Sequence, residues 1–237
     1  MLDNRSIERL FCKDRVHFTG VEYALYHGGK FLYAEEDGLL FTFPSSDVLA
    51  SYGADKETAK KMFSLLKSPE IIVCSSMEEA EAFKECFPYI DVIKPCYQVR
   101  YDKPASVPVP VDTVVKNLEV TEENIDLVAR TYEGGIDRKY AEEYLERGML
   151  ASYTGGKLSG FIGAHSEGTI GVLVVMPEFR KMGIGSYLVN RSVEKFLSEG
   201  KIAYAHIVST NEKSYNMHLK MGFVPSDKLV YWCYSSN

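Results

Sequence analysis

The sequence predicts an α/β fold for the C-terminal part of the chain: a mixed, mostly antiparallel sheet with helices on both faces. Two observations carry this prediction. The apolar, β-branched stretch 171–175 is followed by Pro177, a glycine loop and an amphipathic run that stops at Gly200, which is the pattern of strand, turn, loop and helix. The predicted elements of this part also follow the order βααβββαβαβ(β), in which helices alternate with strands.

The individual elements follow from local patterns. A strand is predicted near 114–120, helices near 122–132 and 137–147, and Asp137 is expected to cap the second helix. Residues 149–153, 158–164 and the 171–175 strand form a predicted three-stranded antiparallel meander with turns at glycines. A helix, a strand at 203–208, a helix and terminal strands follow.

The glycine loop is the most informative motif. Gly183 and Gly185 allow backbone N–H groups to turn toward a ligand at the start of a helix, which favours an anion. The loop reads Arg180-x-x-Gly183-x-Gly185, and about 25 residues further on a second block begins at Asn211. The second block comprises Asn211, Ser214, His218, Gly222 and Phe223.

Together the two blocks resemble the GNAT superfamily of acyl-CoA-dependent N-acyltransferases. The stretch 160–232 most resembles the glycine N-acyltransferase-like branch, and the resemblance covers about half of the chain, roughly 115–234. It implies a GNAT fold in this half and acetyl-CoA as co-substrate, with no metal.

The resemblance also implies the cofactor contacts. The edge of the 171–175 strand pairs with the pantetheine arm, and the Leu173 N–H points at the thioester oxygen. Asn211 and Ser214 contact the pantetheine arm, although Asn211 is equally suited to be a helix N-cap. The full predicted cofactor set is Leu173, Val174, Val175, Arg180, Lys181, Met182, Gly183, Ile184, Gly185, Ser186, Asn211 and Ser214.

The proton donor for the departing thiolate is predicted to be His218, at the position where many family members have tyrosine. Tyr215, one turn earlier, is the alternative donor, and His218 is otherwise a packed helix residue.

The general base is harder to assign, because Thr169 stands where several family members carry glutamate. Glu167 is the first candidate, His165 would share its strand face, and His206 is a further candidate. Alternatively, Glu167 is a solvated carboxylate of the hairpin and His206 is a core residue. The amine can also lose its proton through a water relay, without a dedicated base.

The predicted domains are 1–103, a smaller α+β domain, the proline-rich connector 104–112, and the GNAT domain 113–237. In the first domain, strands are predicted at 21–25, 30–34, 39–43, 71–74 and 97–101, and helices at 59–66 and 78–86. The layout of 71–101 is similar to that of 205–234, so this domain is compatible with a reduced GNAT relative. It is expected to be non-catalytic, because Met77 stands at the Asn211-like place and the glycine loop is missing.

Composition restricts the partners. A net charge of −6 argues against nucleic acid as a partner. The sequence has neither an apolar run long enough to span a bilayer nor a leader pattern, so a cytoplasmic protein is expected.

The five cysteines form no regular framework, which favours free thiols. The apolar strand 229–234 is predicted to be either core or the edge of a homodimer.

The sequence therefore predicts an N-acetyltransferase that acts on the primary amine of a small molecule or amino acid through a tetrahedral intermediate. Two alternatives are a protein or peptide N-acetyltransferase and a CoA-binding protein that has lost its catalytic groups.

Overall fold

The structure, a computed structural model, describes residues 2–12, 14–103 and 106–236. The chain forms two compact units that interleave along the sequence. Unit 1 comprises Met1–Arg100, His206–Asn216 and Val224–Asn237, and unit 2 comprises Tyr101–Ala205 and Met217–Phe223. The linear division into 1–103 and 113–237 stays a prediction. Residues 104 and 105 of the predicted connector lie outside the described residues.

The N-terminal part of the chain consists of four helices and five strands in the described ranges. These are α1 (Asn4–Phe11), α2 (Thr19–His27), β1 (Lys30–Glu35), β2 (Gly38–Thr42), β3 (Leu49–Gly53), α3 (Lys56–Phe63), β4 (Ile71–Cys74), α4 (Met77–Cys86) and β5 (Val92–Tyr101).

The C-terminal part contains the remaining elements, and the last three of them are divided between the two units. They are β6 (Thr113–Asn117), α5 (Glu122–Thr131), α6 (Arg138–Glu146), β7 (Leu150–Thr154), β8 (Lys157–Ala164), β9 (Ile170–Val175), α7 (Ile184–Ser198), β10 (Tyr204–Val208), α8 (Glu212–Lys220) and β11 (Phe223–Tyr234). Short 3-10 turns cover Tyr132–Gly134 and Pro177–Phe179.

The strands form two sheets. The larger has the order β1-β2-β3-β4-β11-β5-β10, and the smaller has the order β6-β7-β8-β9 with antiparallel pairing throughout. Strand β9 is therefore the last strand of its sheet. This mixed α/β architecture and the predicted meander β7-β8-β9 are confirmed.

The core of unit 2 lies where α5 and α6 pack on the smaller sheet. Its fully buried members include Val128, Ala141, Met149 and Phe161, and Val172 of β9 joins the same cluster. Asp137 caps α6, as predicted, by accepting a hydrogen bond from the Lys139 N–H at 2.8 Å. This packing fixes β9 against the helices that precede it in the chain.

Residues 21–25 were predicted as a strand, and this was wrong because they lie inside α2. Val21, Tyr23 and Leu25 alternate as in a strand, but Val21 and Ala24, three residues apart, are both fully buried on one helix face. Gly28 then ends the helix with φ +91° and donates its N–H to the Ala24 carbonyl. The structure also contains α1 and β3, which were not predicted.

The element order of the two parts of the chain repeats. The series β1-β2-β3-α3-β4-α4-β5 has the same order as β7-β8-β9-α7-β10-α8-β11. In the first series β3 and β4 pair in parallel, with Leu49 opposite Ile72 and Ser51 opposite Cys74. The separate N-terminal domain stays a prediction, but this order agrees with the predicted reduced relative.

Candidate active site

The loop before α7 is built to expose backbone N–H groups. Gly183 is the N-cap of α7 with φ +83°, and no side chain caps the helix. The first N–H groups of a helix have no partner within it, so those of α7 remain available to an anion beside the positive end of the helix dipole. Lys181 also has a positive φ of +65°, and residues 181–183 are exposed.

Positive side chains flank this helix start. Arg180 is exposed, and its Nε donates a hydrogen bond to the Val175 carbonyl at 3.3 Å, which holds the guanidinium beside the end of β9. Lys181 and Met182 extend into solvent next to it, and Met182 is 50% exposed. An uncapped helix N-terminus with two cations fits a pyrophosphate group.

The loop, β9 and α8 meet at Gly185. A Cβ on Gly185 would lie 3.5 Å from Val175 Cγ2, 3.6 Å from Met217 Sδ and 3.9 Å from Leu173 Cδ2. The predicted cofactor strand is thus next to the helix start, while Ile184 is buried and Ser186 is half-buried.

A β-bulge interrupts β9 in the middle. Phe161 of β8 lies opposite Val174, and Gly163 lies opposite Gly171, so β9 carries one extra residue in this interval. Val172 has φ +54° although it is β-branched and only 2% exposed. A buried valine in the left-handed region is a strained backbone position, and such positions cluster at functional sites. The bulge places this strain directly before Leu173.

The second motif begins with an N-cap in unit 1. Asn211 Oδ1 accepts a hydrogen bond from the Ser214 N–H at 3.1 Å, which is the expected capping contact. Tyr215 is half-buried and stacks on Tyr97 with ring centroids 4.1 Å apart. The contact of Asn211 and Ser214 with the cofactor stays a prediction.

His218 lies in the part of α8 that belongs to unit 2. It is 5% exposed, and its ring packs edge-on against Phe223 at 4.8 Å. Met217, the preceding residue, lies next to Gly185 of the glycine loop. His218 is thus on the helix turn that adjoins the loop, in an enclosed position.

Glu167 lies in the β8–β9 hairpin and is 2% exposed. Its Oε1 accepts a hydrogen bond from the Thr169 hydroxyl, and its carbonyl accepts one from the Tyr204 hydroxyl at 2.8 Å. Thr169, at the glutamate position of the motif, therefore serves as a partner of Glu167 in this structure.

His165 occupies the other end of this hairpin and is partly exposed. Its Nδ1 lies 3.3 Å from the hydroxyl of Tyr144, a residue of α6. Its Nε2 would lie 2.3 Å from a Cβ on Gly171, so the imidazole covers the α-carbon of this β9 residue. The side chains of Tyr144 and His165 thus meet next to Gly171, the residue of β9 directly before Val172.

Comparisons with known proteins agree with this geometry. Residues 121–223 match the model of the acetyltransferase (GNAT) family. This segment carries a GNAT acetyltransferase domain. The match supports acyl transfer from acetyl-CoA as the general chemistry of the GNAT domain. The glycine N-acyltransferase-like branch is a finer assignment that the match does not distinguish, and no curated protein sequence matches the chain significantly.

Solved structures show the fold over nearly the whole chain. A Drosophila melanogaster protein is 15% identical with a TM-score of 0.66, covering 98% of this chain and 88% of its own. A GCN5-related N-acetyltransferase from Kribbella flavida is 9% identical with a TM-score of 0.59, covering 94% and 95%. A GCN5-related N-acetyltransferase-like protein from Streptococcus suis is 11% identical with a TM-score of 0.57, covering 97% and 98%. These likenesses show the fold alone.

His206, a further candidate base outside the GNAT loop, has both ring nitrogens engaged within unit 1. Trp232 Nε1 donates to its Nδ1 at 3.1 Å, and its Nε2 lies 2.8 Å from Gln98 Oε1. Because indole N–H only donates, Nδ1 is the acceptor and Nε2 carries the proton. This fixed neutral tautomer favours a structural role for His206.

The helices of the first element series differ from α7 of the GNAT domain at their starts. Asp55 caps α3 by accepting the Thr58 N–H at 2.8 Å, and Ser76 caps α4 through the Glu79 N–H at 3.2 Å. A carboxylate in the capping position occupies an N–H group at the α3 terminus and places negative charge there, which disfavours a bound phosphate. The absence of a second cofactor site from the N-terminal part stays a prediction.

Two further observations concern metals and membranes. Within the described ranges, no cluster of three or more His, Cys, Asp or Glu side chains is suited to a metal ion. Over the same residues, no helix is both long and apolar enough to cross a membrane.

Sequence reasoning missed Val172 and Tyr144. Nothing in the local sequence indicates a positive φ at a valine, and the contact between Tyr144 and His165 joins residues 21 positions apart.

Proposed function

We propose that the protein transfers an acetyl group from acetyl-CoA to the primary amine of a small molecule or amino acid. The observation that supports this function most is the uncapped, glycine-started helix α7 directly after a bulged strand that ends its sheet. An anion site and an accessible strand edge are the two features that a CoA thioester requires of a protein backbone.

The chain's own residues hold the cofactor in this proposal. The N–H groups of Lys181 to Ser186 bind the pyrophosphate, with Arg180 adding charge at the entrance. The pantetheine arm lies along the edge of β9 at Leu173, Val174 and Val175, as an added strand would. Asn211 and Ser214 complete the predicted contacts from the first turn of α8.

The bulge gives Leu173 its proposed catalytic role. Bound acetyl-CoA supplies an acyl carbon activated by a thioester. The Leu173 N–H, turned out of the regular ladder by the bulge, donates to the thioester oxygen, where negative charge develops. In comparable sites, a donor of this kind stabilises the transition state by about 3–4 kcal/mol.

The departing sulfur needs a proton. His218 is the proposed donor because its neighbour Met217 contacts Gly185 at the loop. Enclosure beside Phe223 keeps the ring in one orientation. Tyr215 is the alternative donor. Replacing His218 and Tyr215 one at a time shows which of the two supplies the proton.

We infer a small acceptor because the sequence of residues 160–232 resembles the glycine N-acyltransferase-like branch. The alternatives predict different acceptors. A protein or peptide acetyltransferase would modify a peptide amine and leave amino acids unchanged. A CoA-binding protein without catalytic groups would bind acetyl-CoA and release no thiol.

The test is thiol release from acetyl-CoA in the presence of glycine, lysine, spermidine and a peptide with a free N-terminus, with mass spectrometry of the amine. We expect one amine to gain an acetyl group, and we expect His218→Gln to lower the rate more than Tyr215→Phe. Acetyl-CoA binding without thiol release on any amine would contradict the proposed function.

A further inference from the structure

We propose that His165 is the general base that deprotonates the acceptor amine, and that Gly171 and Tyr144 hold its imidazole in place. This inference rests on the proposed function. It assigns the base to a residue other than Thr169, which stands at the position where several family members carry a glutamate.

His165 approaches β9 closely at Gly171. With a Cβ on Gly171, Nε2 and Cδ2 of the ring would lie 2.3 and 2.4 Å away, distances that no real Cβ contact allows. The ring therefore occupies the space that any other residue at 171 would fill. Gly171 precedes Leu173 by two residues, about 7 Å along a strand.

Tyr144 holds the imidazole of His165 in one orientation. Tyr144 Oη lies 3.3 Å from Nδ1, and the two rings pack edge to face at 5.6 Å. Tyr144 is itself held by Tyr132, edge to face at 6.0 Å, and by the Arg147 guanidinium 5.4 Å above its ring. When the Nδ1–H donates to Tyr144 Oη, Nε2 carries the lone pair and lies on the ring edge next to Gly171.

His165 is more accessible to a substrate than Glu167. His165 is partly exposed, whereas Glu167 is 2% exposed and its carboxylate already accepts the Thr169 hydroxyl. A base must reach the proton it removes within hydrogen-bond distance.

The ammonium N–H bond breaks as the Nε2–H bond forms, leaving a neutral amine and an imidazolium. The amine lone pair forms the N–C bond, and the electron pair of the C–S bond leaves with sulfur, which then takes a proton. The second amine proton is released as the amide forms.

The charged and titratable groups near the ring come from α6, from its own hairpin and from the turn before α6, where Tyr132 packs on Tyr144. From α6 these are Tyr144 and, behind it, Arg147, which is paired with Glu143 at 3.1 Å. From its own hairpin Glu167 is two residues away, and β9 contributes Gly171, which does not titrate.

The test compares His165→Gln, His165→Ala, Gly171→Ala and the double variant Gly171→Ala/His165→Ala in thiol release. Acetyl-CoA is combined with whichever of glycine, lysine, spermidine and the peptide the wild type acetylates fastest. We expect His165→Gln to lower kcat/KM about 100-fold at pH 7 and to abolish the acidic limb of its pH profile. Gly171→Ala should lower it comparably by displacing the ring, yet have no effect in the His165→Ala background.

A second readout does not depend on activity. In the protein without cofactor, Gly171→Ala should shift the His165 imidazole resonance in an NMR pH titration, while circular dichroism confirms that every variant is folded. The inference is overturned if the wild type releases thiol while His165→Gln stays within twofold with an unchanged pH profile. It is also overturned if Gly171→Ala acts equally in both backgrounds. A wild type that acetylates no amine overturns the proposed function itself and the inference with it.

Discussion

The side chain of Asn211 accepts a hydrogen bond from the Ser214 N–H at 3.1 Å and so caps the first turn of α8. The cap uses only the amide oxygen, which leaves the NH₂ group of Asn211 as a donor. A structural role and a cofactor contact are therefore compatible at this residue.

Aspartate at position 211 separates the two roles. Asn211→Asp keeps a capping oxygen but loses the donor, so we expect unchanged thermal stability and about tenfold weaker acetyl-CoA binding in calorimetry. Asn211→Ala should in addition cost about 1 kcal/mol of stability. Thr121→Ala, which removes the cap of α5, is the control that loses stability alone. Unchanged affinity in Asn211→Asp would restrict Asn211 to capping.

The strain at Val172 predicts an inverted order of stabilities. An L-residue in the left-handed region costs roughly 1–2 kcal/mol relative to glycine, so Val172→Gly should be more stable than Val172→Ala by about 1 kcal/mol. At Val174, which has no positive φ, the alanine variant should be the more stable by about 0.5–1 kcal/mol. Urea unfolding measures both pairs, and the same order at both positions would mean that the bulge does not strain Val172.

Glu22 of α2 predicts a pH dependence of stability. Burial raises the pKa of this carboxyl, but hydrogen bonds and ion pairs with Arg15 and Arg100 outweigh burial and leave the pKa below its usual range. The unfolded chain then binds the proton more tightly. The stabilisation is present above the unfolded pKa of about 4.5 and is lost as pH falls through the lower folded value.

Glu22→Gln should therefore destabilise the fold by about 2 kcal/mol at pH 7, and the difference should shrink as pH falls below 4.5. Chemical denaturation over this pH range measures it. Exposed Glu142, replaced in the same way, is the control. A difference that grows in acid would show that the ion pairs do not set the pKa.

The sequence predicted those features that are determined by residues close together in the chain, and not those that depend on contacts between distant segments. The α7 loop was predicted because Pro177, Gly183 and Gly185 restrict the backbone by themselves. The place of β5 between β11 and β10 was not predicted, because strand pairing between distant segments leaves no trace in either segment. The valine at a positive φ contradicts its own propensity, so only the packing of Val172 in the α5–α6 core explains it.

The candidate site shows the same division. The residues of the cofactor loop carry a local motif, whereas the orientation of His165 depends on Tyr144 and on a glycine six positions later in the chain. Sequence reasoning preferred Glu167 because a carboxylate is the usual base, but it could not show that Glu167 is buried and bonded to Thr169.

The measurement that tests the central claim most directly is calorimetric titration of acetyl-CoA into the wild type, Gly183→Asp and Gly200→Asp. Gly183 starts α7 and Gly200 follows its end, and both have positive φ. Among the described residues, a Cβ at position 200 would have no neighbour within 4 Å and one at position 183 would have only Pro110 Cγ, at 3.9 Å, so the two variants introduce the same charge and similar strain. We predict equal affinity for the wild type and Gly200→Asp, and at least about 30-fold weaker binding to Gly183→Asp, because its carboxylate faces the pyrophosphate. Equal affinity for all three proteins would contradict a cofactor site at the start of α7.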